Sequence, residues 1–242
     1  MGGERIRNAG RGLLCVALLA PMALAAGKRH GTVEDLLVHG AVEGRSLGEW
    51  TAQWWRWAFS QPVAPYLDPD GSWCAMGQEG PVWFLAGTNG QFTPKRHCVV
   101  PEGKYLLVPI INMSMRRSKL TKGGCREMQE SVAVNNNHLA SAVVMVNGQL
   151  LRDARRQRVR SDGCFLFDPE DAASMWMAAD GYWLMLKPLP RGRHTISVGA
   201  NYGALGDEGY GSFQQTFEYQ LDVGGHTLLS DAGSAQPVTA LR

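Results

Sequence analysis

The side chains best suited to moving a proton near neutral pH are six histidines: His30, His39, His97, His138, His194 and His226. No two of them stand at a metal-ligand spacing, so a histidine metal site would have to be assembled from distant segments. His194 alternates with Ile196 and Val198 and reads as a strand residue that packs or hydrogen-bonds within the fold. His138 follows the Asn135-Asn136-Asn137 cluster and has no such explanation. Together with Asp180, Glu130 and Asp168 it forms a candidate acid–base set, which predicts a secreted hydrolase if at least two of the four converge in a pocket. Catalytic motifs give no further help. The chain has no H-E-x-x-H, S-x-x-K, phosphate loop or dinucleotide fingerprint. Gly44-Arg45-Ser46-Leu47-Gly48 does match G-x-S-x-G, but a nucleophile elbow needs a strand before it and alternating strands and helices around it. That pattern is missing, and Ser46 is better explained as a helix cap.

Other groups suit binding better than catalysis. Arg152, Arg155, Arg156, Arg158 and Arg160 form the densest basic run. If 156–160 is a strand, Arg156, Arg158 and Arg160 share a face and could hold a sulfate, phosphate or uronate, although a solvated edge strand whose charge blocks unwanted pairing is the favoured reading. Asp207-Glu208 in a glycine loop and Asp68-x-Asp70-Gly71 in a turn offer oxygens for calcium, although ordinary turn chemistry is the favoured reading of both. No other cofactor is expected. Trp50, Trp54 and Trp57 recur at helical spacing and read as a packing stripe, whereas Trp55 lies off the stripe and is expected to expose its ring to a ligand such as a sugar.

These groups must be positioned by elements that the pattern partly reveals. Ser46 and Glu49 make an S-x-x-E capping box for a helix that Pro62 terminates. Beyond it the chain reads as strands and turns. Asp68-Pro69-Asp70-Gly71 is a turn, and Pro81–Gly87 and Lys104–Ile111 are buried strands, the second carrying Pro109 at an edge or bulge. Residues 113–130 look basic and irregular. Ala142–Leu151 is a hairpin on the type I′ pair Asn147-Gly148, with shorter strands near 156–160 and 164–167. Gly181–Leu186 and Arg193–Val198 are expected to pair across Pro188-Leu189-Pro190. A glycine loop spans 199–211, and Ser212–Val223 alternates as a half-exposed strand. The fold class that follows is mainly β, a two-sheet sandwich or jelly roll with one Trp-rich amphipathic helix packed on it.

Residues 1–25 read as a signal peptide: Arg5, Arg7 and Arg11 precede the apolar run Leu13–Leu24, with cleavage expected after Ala25. An arm (26–45), a single β-rich domain (46–228) and a flexible tail (229–242) follow. The first 25 residues hold three Arg and one Glu of the chain's 24 basic and 22 acidic side chains, so the remainder carries 21 of each. A neutral body argues against a nucleic-acid partner, and no later segment is apolar enough to insert into a membrane. Cys74, Cys98, Cys125 and Cys164 remain after processing and, in an exported chain, read as disulfides with three connectivities open to them. Sequential pairing is expected, and a four-thiolate metal site is disfavoured because no C-x-x-C occurs.

Several stretches carry a resemblance: Trp50-x3-Trp54-Trp55-x-Trp57, Gly80-Pro81-Val82-Trp83-Phe84-Leu85-Ala86-Gly87-Thr88, Cys98-x-Val100-Pro101-x-Gly103-Lys104 and Asp180-Gly181-Tyr182-Trp183. Over most of residues 46–200 the chain resembles a family of exported microbial signal-peptide proteins of uncharacterised activity. The resemblance implies export, with Cys74 and Cys98 in the shared frame, and implies no activity, cofactor or catalytic residue. The leading expectation is therefore a periplasmic or extracellular binding or structural module whose partner is a glycan or envelope component. The hydrolase and a calcium-stabilised scaffold are the alternatives.

Overall fold

The computed structural model describes Gly2, residues 31–203 and residues 209–225. The signal-peptide cleavage site, Asp207, Glu208 and the tail lie outside the described residues. In chain order the elements are α1 (Val33–Leu36), α2 (Leu47–Ser60), β1 (Val82–Phe84), β2 (Lys95–Val100), β3 (Tyr105–Arg117), α3 (Gly124–Ala133), β4 (Leu139–Val146), β5 (Gln149–Leu150), β6 (Arg158–Arg160), β7 (Phe165–Leu166), β8 (Trp176–Leu186), β9 (Gly192–Tyr202) and β10 (Phe213–Val223).

The strands form two five-stranded sheets, a two-sheet β sandwich. The first runs β1-β3-β8-β6, with β7 also paired to β8, and the second runs β2-β10-β9-β4-β5. Val108, Ile110, Leu184 and Leu186 of the first sheet meet Val144, Val198, Phe217 and Leu221 of the second in one buried cluster. The other face of the first sheet is covered by α2, through Trp50, Trp54 and Trp57 packed with Phe84, Leu107, Trp183 and Met185. This explains two sequence patterns. Met177–Leu186 of β8 is buried without interruption because both of its faces are covered, whereas β10 alternates because its outer face meets water.

The local signals hold where expected. Ser46 Oγ accepts the Glu49 N–H at 3.0 Å and the Glu49 carboxylate accepts the Ser46 N–H at 2.8 Å, completing the capping box. Asn147 and Gly148 both adopt positive φ, 52° and 75°, between β4 and β5. The register of β3 against β8 shifts between Pro109 and Ile111, so the proline sits at a bulge.

Three long-range expectations are corrected. Gly181–Leu186 and Arg193–Val198 do not pair: they belong to β8 in one sheet and β9 in the other. The two prolines between them cannot donate to a hairpin ladder, and Leu189 is instead buried in the inter-sheet core. Residues 113–130 are not irregular, since β3 continues to Arg117 and α3 follows with Met128 and Val132 buried at i and i+4. Likewise β9 continues to Tyr202, into the stretch that reads as a glycine loop. The 31–45 part of the arm packs as well: Val33, Leu37 and Val42 are buried, and Leu37 bridges to Leu186 at the end of β8.

Cys74–Cys98 and Cys125–Cys164 are disulfides, the sequential pairing. The second ties α3 to the segment entering β7 and closes a loop with a sequence separation of 39. A double Cys125→Ser, Cys164→Ser variant is expected to lose about 3 kcal/mol, mainly through a freer unfolded chain. Thermal unfolding should then shift down by roughly 6–12 °C. An unchanged midpoint would mean that α3 is held by packing alone.

Candidate functional site

The first recess lies at one end of the sandwich, where α2, the ends of β3 and β9, the start of β10 and two loops converge. Its volume is about 550 Å³. The bulge in β3 is the local device that furnishes it. Before the bulge Leu106, Val108 and Ile110 face the inter-sheet core while Leu107 faces α2; after it Ile111 again faces the inter-sheet core. The extra residue therefore reverses the alternation, and Asn112, Ser114 and Arg116 fall on the α2 side. Gly181 opposite Asn112 is required for this: a Cβ there would lie 2.3 Å from the Asn112 Cβ and 2.8 Å from the Ile111 carbonyl oxygen.

Seven aromatic residues contribute to the wall. Trp54, Trp55 and Phe59 come from α2, Tyr66 from the 3-10 turn Pro65–Leu67, and Tyr202, Tyr210 and Phe213 from the far side. Trp55 does not expose its ring as its position off the stripe suggests. It is only 9% exposed, stacked on Phe59 with ring centroids 5.1 Å apart and set edge-on to Trp54 at 4.9 Å. The Arg116 guanidinium lies 4.4 Å from the Phe59 ring centroid, extending the stack.

The polar groups divide into those already engaged and those free. Gln215 donates to the Ile110 carbonyl at 2.6 Å and accepts the Thr88 N–H at 3.0 Å, joining the two sheets. Asn135 accepts the Tyr210 N–H at 2.9 Å and donates to the Gly211 carbonyl at 3.1 Å, which fixes the Tyr210 loop. Tyr202 donates to Asn136, and burial pushes its phenol well above the ordinary range, so it stays neutral. Asn112, Ser114 and Ser212 have no side-chain partner among the described residues, and the buried Trp55 Nε1 has none either. Among the described residues lining the recess there is no carboxylate, histidine, lysine or cysteine.

The candidate acid–base set is not gathered. Asp180 is fully buried on β8: Arg158 donates to it from Nε at 3.0 Å and Nη2 at 2.8 Å, and Arg160 Nε lies 2.7 Å away. Glu130 is exposed on α3, 3.8 Å from Arg126. Asp168 is exposed after β7 and accepts the Glu170 N–H, and His138 is exposed at the end of the 3-10 turn Asn135–His138. No hydrogen bond or ion pair joins any two of them. Nor do the three arginines share one strand face, because Arg156 sits in the 3-10 turn Ala154–Gln157 and pairs with Asp153, leaving only Arg158 and Arg160 on β6.

Asp68 accepts the N–H groups of Asp70, Gly71 and Trp73, which is turn chemistry that occupies the oxygens a cation would need. Among the described residues no group of three or more His, Cys, Asp or Glu could hold a metal ion. Ser46 donates its hydroxyl hydrogen to Asp162 in the β6–β7 turn, and Gly48 lets that turn approach, since a Cβ would stand 2.6 Å from the Arg160 carbonyl oxygen. The G-x-S-x-G match is thus a helix cap joined to a turn.

Reading the sequence did not find Asn112, Ser114, Arg116 or Phe59. The only local signal was polar residues at every second position directly after a buried strand. Comparison of the chain with protein-family models, with curated proteins and with solved structures finds no match.

Proposed function

We propose that the protein is an exported β-sandwich binding module that takes a glycan ring into the aromatic recess between α2 and the end of β3. The observation that carries this reading is the composition of the wall: seven aromatic side chains border it, of which Phe59, Tyr66, Tyr210 and Phe213 keep solvent-facing surface, with free amide and hydroxyl groups among them and no described acid–base residue. Aromatic faces cover the apolar C–H face of a sugar ring, while Asn112 can both donate to and accept from hydroxyls. A volume of about 550 Å³ suits one or two rings. Export is supported by the N-terminal signal pattern, by the resemblance to exported microbial proteins and by two disulfides, which persist in oxidising compartments.

The test is a glycan array followed by calorimetric titration of the best ligand. Asn112→Ala and Ser114→Ala break no internal hydrogen bond, so each variant should keep the wild-type melting temperature. Each is expected to weaken binding about fivefold, the worth of one net hydrogen bond of about 1 kcal/mol. If no envelope or exogenous glycan binds, or if both variants bind as the wild type does, this assignment of the recess is wrong.

A further inference from the structure

The other flank of α2 carries a recess of different character. A groove of about 1000 Å³ adjoins a smaller depression of about 460 Å³, and Arg45, Gln53 and Arg56 line both. Both guanidiniums are pre-positioned. Arg45 closes a tight turn in which Val42 and Arg45 exchange backbone hydrogen bonds of 2.9 and 3.0 Å across Glu43 and Gly44, and its guanidinium lies 5.3 Å from the Trp50 ring centroid. Arg56 lies 5.0 Å from the Phe165 ring centroid and donates from Nε to the Leu166 carbonyl at 3.0 Å, which leaves its two terminal amino groups uncommitted.

Neither arginine has a carboxylate within ion-pair distance among the described residues. Five carboxylates, Glu43, Glu49, Glu79, Asp162 and Asp168, also line the two recesses, none of them within ion-pair distance of Arg45 or Arg56. Glu49 accepts the Ser46 N–H, Asp162 the Ser46 hydroxyl and Asp168 the Glu170 N–H, while Glu43 and Glu79 are exposed. Burial depresses the basicity of Arg56, and the charge that adds to this effect is Arg45, a second cation. Arg56 is partly withdrawn from water and Arg45 is exposed beside it; two like charges without an ion-pair partner are stabilised by an anion placed between them.

We propose that Arg45 and Arg56 clamp a phosphate monoester where the two recesses meet, with the Gln53 amide as an additional donor. A phosphate monoester carries nearly two negative charges at pH 7 and three terminal oxygens, enough to engage two guanidinium forks, whereas a carboxylate matches one. The site lies on the opposite flank of α2 from the aromatic recess and does not depend on the glycan reading.

The experiment is a titration of the purified, processed protein at constant ionic strength with inorganic phosphate, glucose 6-phosphate, glycerol 3-phosphate and acetate. Phosphate is expected to bind and to raise the melting temperature, and acetate to do neither. The tighter of the two organic phosphates identifies whether a sugar or a glycerol headgroup carries the ester. Arg45→Gln, at an exposed position, keeps the fold and should weaken phosphate binding about tenfold; Arg56→Gln should do the same, and Arg56→Lys should recover part of the loss. Asn112→Ala should leave phosphate binding unchanged. The proposal is overturned if Arg45→Gln binds phosphate as the wild type does, or if acetate binds as tightly as phosphate.

Discussion

Replacing Trp54 by Ala is expected to destabilise the protein by about 5 kcal/mol, the upper end for loss of a buried indole. Trp54 is 2% exposed and stands at the meeting point of the aromatic cluster, with ring centroids 4.9 Å from Trp55, 5.8 Å from Trp57 and 5.3 Å from Trp183. Its Nε1 donates to the Leu85 carbonyl at 2.8 Å, tying α2 to the segment that leaves β1. Truncation would open a cavity between α2 and the first sheet and leave the Leu85 carbonyl without that donor. Trp54→Phe keeps most of the packing and should cost about 2 kcal/mol. Urea unfolding measures both. A Trp54→Ala variant within 1 kcal/mol of the wild type would mean that α2 is not docked by its indoles, and the aromatic recess it walls would lose its basis.

Asp180→Ala is expected to cost about 3–4 kcal/mol, because it leaves two guanidiniums without their shared counter-ion. The Asp180 side chain is 0% exposed, while those of Arg158 and Arg160 are 25% and 50% exposed. Partial hydration of the arginines keeps the expected loss below the maximum for a wholly buried pair. Asp180→Asn preserves the shape but not the charge and should fall close to Asp180→Ala. Arg160→Ala, at the half-exposed member, should cost only about 1 kcal/mol. That ordering, read from denaturation midpoints, distinguishes a structural carboxylate from a catalytic one. If Asp180→Asn were fully stable, the buried ion cluster would not be holding β6 to β8.

These two residues also mark how far the sequence could be read. The packing role of Trp54 was visible because its partners Trp50 and Trp57 lie within a turn on the same helix. For Asp180 the type was legible and the role was not. Its arginine partners are 20 and 22 positions away and meet it only because β6 pairs with β8 at Arg158↔Tyr182 and Arg160↔Asp180. The burial of Trp55 escaped for a similar reason. Its angular position on α2 is off the packing stripe, yet Phe59 and Trp54 enclose it. Strand content in 113–117 was hidden because Arg116 and Arg117 broke the apolar pattern while β8 supplied the hydrogen bonds.

Features whose physics is completed within a few residues are legible from the chain alone: the Ser46–Glu49 cap, the indole stripe, the Asn147-Gly148 turn, the bulge-forming proline and a cysteine frame close enough in sequence to pair in order. Long-range packing sets which strands share a sheet, brings one buried aspartate to two arginines, and places Asn112, Ser114, Trp55 and Phe59 around one recess and Arg45 and Arg56 around another. A cap or a turn is set by contacts between chain neighbours. A recess is set by strand register between distant segments, and a single extra residue in β3 chooses which side chains face it.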